Sequence, residues 1–124
     1  MIAADTSSMV AFLQGEEGDD VELIQAALDE NQLALPPPVL AELLSNPLLS
    51  KSVRTLLADL PILQVEPGYW TRAGALRAAA LKEKKKARLG DALIAQSCLD
   101  QLTPLVTRDK DFRQFARIAG LSLF

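Results

Sequence analysis

The hydrophobic pattern of this chain switches period several times along its length. Short apolar runs at residues 2–4, 32–35, 62–65, 105–107 and 121–123 lack helical spacing and predict five short strands. Between them, apolar residues recur at intervals of three and four. A first helix opens after Asp5, with Thr6 or Ser7 as its cap and Met9, Val10 and Leu13 inward, and ends near Gly15. Asp19 or Asp20 caps a second, whose apolar face is Val21, Ile24 and Leu28. Pro36, Pro37 and Pro38 end a strand and begin a third helix, striped by Val39, Leu40, Leu43 and Leu44 and closed before Pro47. A short helix over 52–59 and a longer one over about 69–85 follow, the latter with Trp70, Ala73, Leu76 and Ala80 inside. Another opens around Asp91, and Phe112, Phe115, Ala116 and Ala119 mark a last helix stopped by Gly120. Strands alternating with helices predict an α/β domain on a mostly parallel sheet, and 124 residues suit one domain spanning 1–124.

In a parallel sheet, ligands gather outside the carboxyl ends of the strands. Asp5 directly follows the first strand and Asp109 the fourth, although chain order alone does not make those strands neighbours. Asp91, Ile94, Ala95 and Cys98 share one helical face, so a carboxylate stands on an apolar stripe, where an unpaired charge is costly. Each acid also has a plainer explanation. Asp5 and Asp91 could be helix caps, Glu42 lies beside the leucine stripe of its helix as a solvated residue would, and either Asp109 or Asp111 could cap the Phe112 helix. Together, Asp5, Glu42, Asp91 and Asp109 suggest a carboxylate cluster, which repels itself unless a cation holds it.

Composition narrows the cation. The chain has no His and one Cys, so an all-oxygen site is expected, which favours magnesium or manganese over zinc and points toward phosphate chemistry. Cys98 cannot form an internal disulfide and has no His to activate it as a nucleophile. The sequence shows neither a signal-like start nor an apolar run of membrane-spanning length, so a cytoplasmic protein with no membrane association is expected. The net charge of −3 conceals a segregation: residues 1–50 carry nine acids and no Lys or Arg, while residues 51–124 carry all thirteen bases and seven acids. The bases flank Asp91 (Lys82, Lys84, Lys85, Lys86, Arg88) and Asp109 (Arg108, Lys110, Arg113, Arg117). Such a surface can steer a polyanion, whereas the lysine run by itself reads as a solvated helix end.

Four segments in order carry a family resemblance: Ile-Ala-Ala-Asp5-Thr-Ser-Ser, Pro-Val-Leu-Ala-Glu42-Leu, Arg-Leu-Gly-Asp91-Ala-Leu-Ile-Ala and Leu-Val-Thr107-Arg-Asp109-Lys-Asp111-Phe112. Over nearly its whole length the chain resembles a PIN domain, most closely the small VapC-type ribonuclease toxins of toxin–antitoxin pairs. The resemblance implies an α/β/α sandwich with a five-stranded parallel sheet. It also implies a Mg²⁺-dependent endoribonuclease, with Mn²⁺ as a substitute, whose metal is held by Asp5, Glu42, Asp91 and Asp109. Thr107 matches a supporting hydroxyl of the catalytic set, and Ser7 stands where it can do the same. An RNA substrate, a small antitoxin partner and homodimerisation are implied as well. Arg88 and Arg108 are then candidate substrate contacts to phosphate.

Two other α/β families with strand-end aspartates fit less well. A haloacid-dehalogenase-type phosphatase wants a second Asp two residues after its nucleophile, where this chain has Ser7. A response-regulator receiver wants paired acids after the first strand and a Lys near the last, and neither is present. The alternative from a different functional class is a non-catalytic PIN-like module that binds RNA or protein. The four retained acids argue for catalysis over it.

Overall fold

The computed structural model describes all residues, 1–124. Three strands, β1 (Ile2–Ala4), β2 (Leu33–Ala34) and β3 (Leu105–Val106), form a parallel sheet in the order β2-β1-β3. The central strand is built from Ala3 and Ala4, both wholly buried, and takes hydrogen bonds on both edges: Ile2 N–H donates to Gln32 O at 2.8 Å and Ala3 N–H to Pro104 O at 2.9 Å. The expected five-stranded sheet is reduced at its margins. Residues 62–65 and 121–123 make only single parallel bridges, Ile62 to Leu35 and Leu123 to Leu105. The residue just before the first of these, Pro61, has no N–H to extend a ladder.

Seven helices complete the chain: α1 (Thr6–Leu13), α2 (Asp19–Asp29), α3 (Pro37–Leu44), α4 (Lys51–Asp59), α5 (Tyr69–Lys82), α6 (Leu89–Asp100) and α7 (Arg113–Ala119), the last preceded by a 3₁₀ turn, Lys110–Phe112. The path leaves β1 for β2 on one side and then returns past it to β3 on the other. Right-handed crossovers in opposite directions put their helices on opposite faces, which gives the α/β/α arrangement. The reversal makes the carboxyl ends of β1 and β3 a topological switch point, the place where such sheets leave a crevice.

Helix α6 is the most enclosed, with Ala92, Ile94, Ala95, Gln96, Ser97 and Cys98 all buried. Its small residues let α5 lie close, and polar clamps fix the pair. Arg72 grips Asp100 in bidentate fashion at 2.6 and 3.0 Å, and Tyr69 Oη donates to Leu93 O at 2.6 Å. Phe112 and Phe115 meet edge to face at 6.1 Å and seat α7 on the core.

Several local expectations are corrected. Asp5 itself caps α1, accepting from Ser8 N–H at 2.9 Å, in place of Thr6 or Ser7. The residue before α2 is Gly18, so Asp19 and Asp20 lie within its first turn. On α5, Tyr69 is buried and Trp70 is 68% exposed, because the inner stripe runs through Tyr69, Ala73, Leu76 and Ala80. Val10 and Ala119 face solvent. Helix α5 stops at Lys82, where Lys84 adopts a left-handed conformation at φ 59°. There Lys84 N–H bonds Leu81 O at 2.9 Å and Lys85 N–H bonds Ala80 O at 3.1 Å, a Schellman ending built without glycine.

Candidate metal centre

The neighbour relation that chain order left open is settled by β1 pairing directly with β3, Ala3 opposite Leu105 and Ala4 opposite Val106. Asp5 and Thr107 therefore leave adjacent strands side by side. Thr107 Oγ1 donates to Asp5 Oδ2 at 2.6 Å and accepts Asp109 N–H at 2.9 Å, so one hydroxyl joins the two strand ends. Ser7 Oγ lies 2.8 and 3.0 Å from the two Asp5 oxygens. Asp5 is only 2% exposed, and burial pushes its carboxyl up while these hydrogen bonds pull the other way. The cap and the site residue are thus one group, since the geometry that places Asp5 at the N-terminus of α1 also places it beside Thr107.

Asp91 lies in the first turn of α6, two residues beyond its first residue, and is half-buried. Carboxylate oxygens of Asp91, Asp109 and Asp111 lie within 4.8 Å of one another. Asp109 caps the 3₁₀ turn by accepting Asp111 N–H at 2.9 Å, which turns both acids toward α6. Burial and the charge of Asp109 raise the Asp91 pKa to about 6; Glu42 and Asp111 add to the rise, and Arg88 opposes it. No Lys or Arg forms an ion pair with any of the three. An unneutralised carboxylate trio suits a hard divalent cation that keeps several of its waters, with no nitrogen or sulfur donor needed.

The other expected residues lie outside this trio. Asp5 is tied to the Asp109 backbone through Thr107. Glu42, exposed on α3, borders the start of α6: a Cβ on Gly90 would come within 3.6 Å of Glu42 Oε1. Arg88 precedes α6, exposed and without a hydrogen-bonded acid. Arg108 points elsewhere. Its guanidinium clasps Asp20 at 2.8 and 3.0 Å, reaches Glu17 O at 3.2 Å and pairs with Glu16 at 3.5 Å. Asp20 also accepts Ser8 Oγ at 2.8 Å, and Arg108 holds its carboxyl down at about 2. Gly18, at φ 150°, leaves room for this clasp, since a Cβ there would lie 2.5 Å from Asp20 Oδ1 and 3.0 Å from Arg108 Nη2. Asp111 is the acid that joins the trio beyond the four expected; the only hint in the sequence is its place two residues after Asp109. Cys98 is buried with its thiol pushed up to about 12, so it stays protonated.

Comparison with solved structures gives close matches in fold. VapBC2 from Rickettsia felis, bound to a DNA fragment from their promoter, is 25% identical with a TM-score of 0.75, covering 100% of this chain and 98% of that one. VapBC-1 from nontypeable Haemophilus influenzae is 20% identical with a TM-score of 0.76, covering 100% and 97%. VapBC-5 from Mycobacterium tuberculosis, a member of the VapBC family of toxin–antitoxin systems, is 22% identical with a TM-score of 0.68, covering 99% and 96%. A comparison with curated proteins gives no match. No helix is long and apolar enough to cross a membrane. The model of the PIN domain family matches residues 2–118, nearly the whole chain, and the chain belongs to the PIN domain family.

Proposed function

We propose that the chain is the toxin of a toxin–antitoxin pair, a Mg²⁺-dependent endoribonuclease in which Mn²⁺ can replace Mg²⁺. The observation that carries this reading is the convergence of Asp91, Asp109 and Asp111, none of them in an ion pair, at the carboxyl edge of β1 and β3. Membership of the PIN family and the fold shared with VapBC structures support it. Asp91 and Asp109 would hold the cation, with Asp111 beside them, and Asp5 and Glu42 would complete the acid set and orient its water. Thr107 keeps Asp5 and Asp109 in register. A cation bound there supplies Lewis acidity, lowering the pKa of water and offsetting charge on a phosphodiester in transit. Arg88, free of any acid partner, contacts the substrate phosphate, a role that Arg108 takes only by releasing Asp20. A small antitoxin and a second copy of the chain are the protein partners of this reading, with the cytoplasm as its site of action.

The test is cleavage of end-labelled single-stranded RNA by the purified chain in Mg²⁺, in EDTA, and with Asp91→Asn. Cleavage requiring metal and lost in Asp91→Asn supports the proposal. RNA binding with no cleavage under any metal would replace it with the non-catalytic binding module.

A further inference from the structure

Beside the carboxylate trio, and sharing Asp111 as a wall, lies an open groove of about 350 Å³ with no hydrophobic lining. Lys85, Lys86, Lys110, Arg113 and Arg117 surround it. Of these five, only Arg117 has a carboxylate partner, Glu83 at 2.6 Å. Elsewhere the bases are largely committed: Arg72 and Arg108 to acids, Arg54 and Arg77 to backbone carbonyls. Half of the eight bases left without an acceptor therefore crowd one groove, with Asp111 the one carboxylate in its lining, so the groove carries a surplus of positive charge that an anion would offset.

The groove is braced as well as charged. The left-handed turn at Lys84 folds the chain back after α5; Arg117 holds Glu83 just before it, and two contacts pin the segment that follows, Gln114 Nε2 to Lys86 O at 2.6 Å and Arg77 Nε to Ala87 O at 2.9 Å. Lys85 and Lys86 are thus presented from a fixed backbone opposite Lys110 and Arg113. A polar, open, cation-lined trough that begins at an acid of the candidate metal centre matches a polyanion running through that centre better than a compact apolar ligand.

We infer that this groove holds backbone phosphates of single-stranded RNA to one side of the bond being cut, setting the direction in which the strand crosses the acids. The inference rests on the nuclease reading for its orientation, but its test does not depend on catalysis. Full-length Asp91→Asn protein, in EDTA, is titrated against a 5′-fluorescein single-stranded uridine oligonucleotide, and anisotropy is followed across a salt series. Adding Lys85→Gln and Arg113→Gln should weaken binding about tenfold and flatten the salt slope by about 0.7 for each phosphate no longer neutralised. Lys110→Gln alone should give a smaller change in the same direction. Lys51→Gln, on α4 and outside the groove, should leave both affinity and slope unaltered.

Unaltered affinity and slope in the double variant would overturn the inference, as would an equal loss in Lys51→Gln. Polyglutamate that binds the groove more tightly than the oligonucleotide at equal charge concentration would also overturn it, by making an acidic protein segment the occupant. The two readings fail separately. Groove-dependent binding without cleavage by the parent would remove the nuclease and keep the groove. Metal-dependent cleavage with groove variants that bind like the parent would do the reverse.

Discussion

Replacing Asp91 with Asn should stabilise the metal-free protein, against the usual direction for a substitution in a half-buried site. The Asp91 carboxyl titrates at about 6 in the fold, against about 3.9 in an unfolded chain. At about 1.36 kcal/mol per pH unit the difference is worth at most ~3 kcal/mol, and partial exposure of the group screens it to about 1–1.5 kcal/mol. Because the folded-state pKa is raised, the folded state binds the proton more tightly than the unfolded chain. The cost of Asp91 is therefore absent below about pH 4, grows as pH rises toward 6, and stays constant above it. Asp91→Asn lacks this cost and should melt about 3–6 °C above the parent at pH 7.5 in EDTA, with about a third of that gap left at pH 4.5. Thermal unfolding of the two proteins at both pH values reads this directly. Saturating Mg²⁺ should reverse the order, since a ligand at a hundred times its Kd adds about 2.7 kcal/mol to the parent alone. An Asn variant that melts below the parent at pH 7.5 in EDTA, or a gap that ignores pH, would mean that the Asp91 charge does not destabilise the metal-free fold.

Three further outcomes follow from the geometry. Asp5→Ala removes the α1 cap and the acceptor of Ser7 and Thr107, and should cost about 2–3 kcal/mol in urea unfolding even without metal. Lys84→Gly relieves a left-handed lysine that has no need of its side chain to close α5, and should raise stability by about 0.5–1 kcal/mol in the same assay. Asp20→Asn should destabilise the protein at neutral pH, with a difference from the parent that disappears as pH falls from about 4 through 2. The reason is that Arg108 lowers the folded-state pKa of Asp20, whose stabilisation is present only above its unfolded value.

Much of the centre was legible because parallel sheets expose strand ends, so an acid directly after an apolar run is already located on one edge. Asp5 and Asp109 were visible in that way, and Asp91 through its place on an apolar helical face. Adjacency of the first and fourth strands was not, since pairing between residues about a hundred positions apart leaves no local mark. Asp111 was visible only as an alternative to Asp109 for the fourth acid, because its direction depends on a 3₁₀ turn, which periodicity does not resolve. The engagement of Arg108 was likewise hidden: its partners Glu16, Glu17 and Asp20 are some ninety residues away in the acidic half of the chain. Trp70 and Tyr69 illustrate phase ambiguity, since either begins a stripe through Ala73, Leu76 and Ala80, and only the bond from Tyr69 Oη to Leu93 O selects one.

On the nuclease reading, water activated at the carboxylate trio hydrolyses RNA. The most direct test is single-turnover cleavage in H₂¹⁸O with Mg²⁺, followed by mass analysis of the new ends. Each newly formed terminal phosphate monoester should carry one ¹⁸O atom, because the water oxygen bonds to phosphorus as the ribose oxygen leaves. A 2′,3′-cyclic phosphate carrying no ¹⁸O would show that the ribose hydroxyl is the nucleophile and would contradict it.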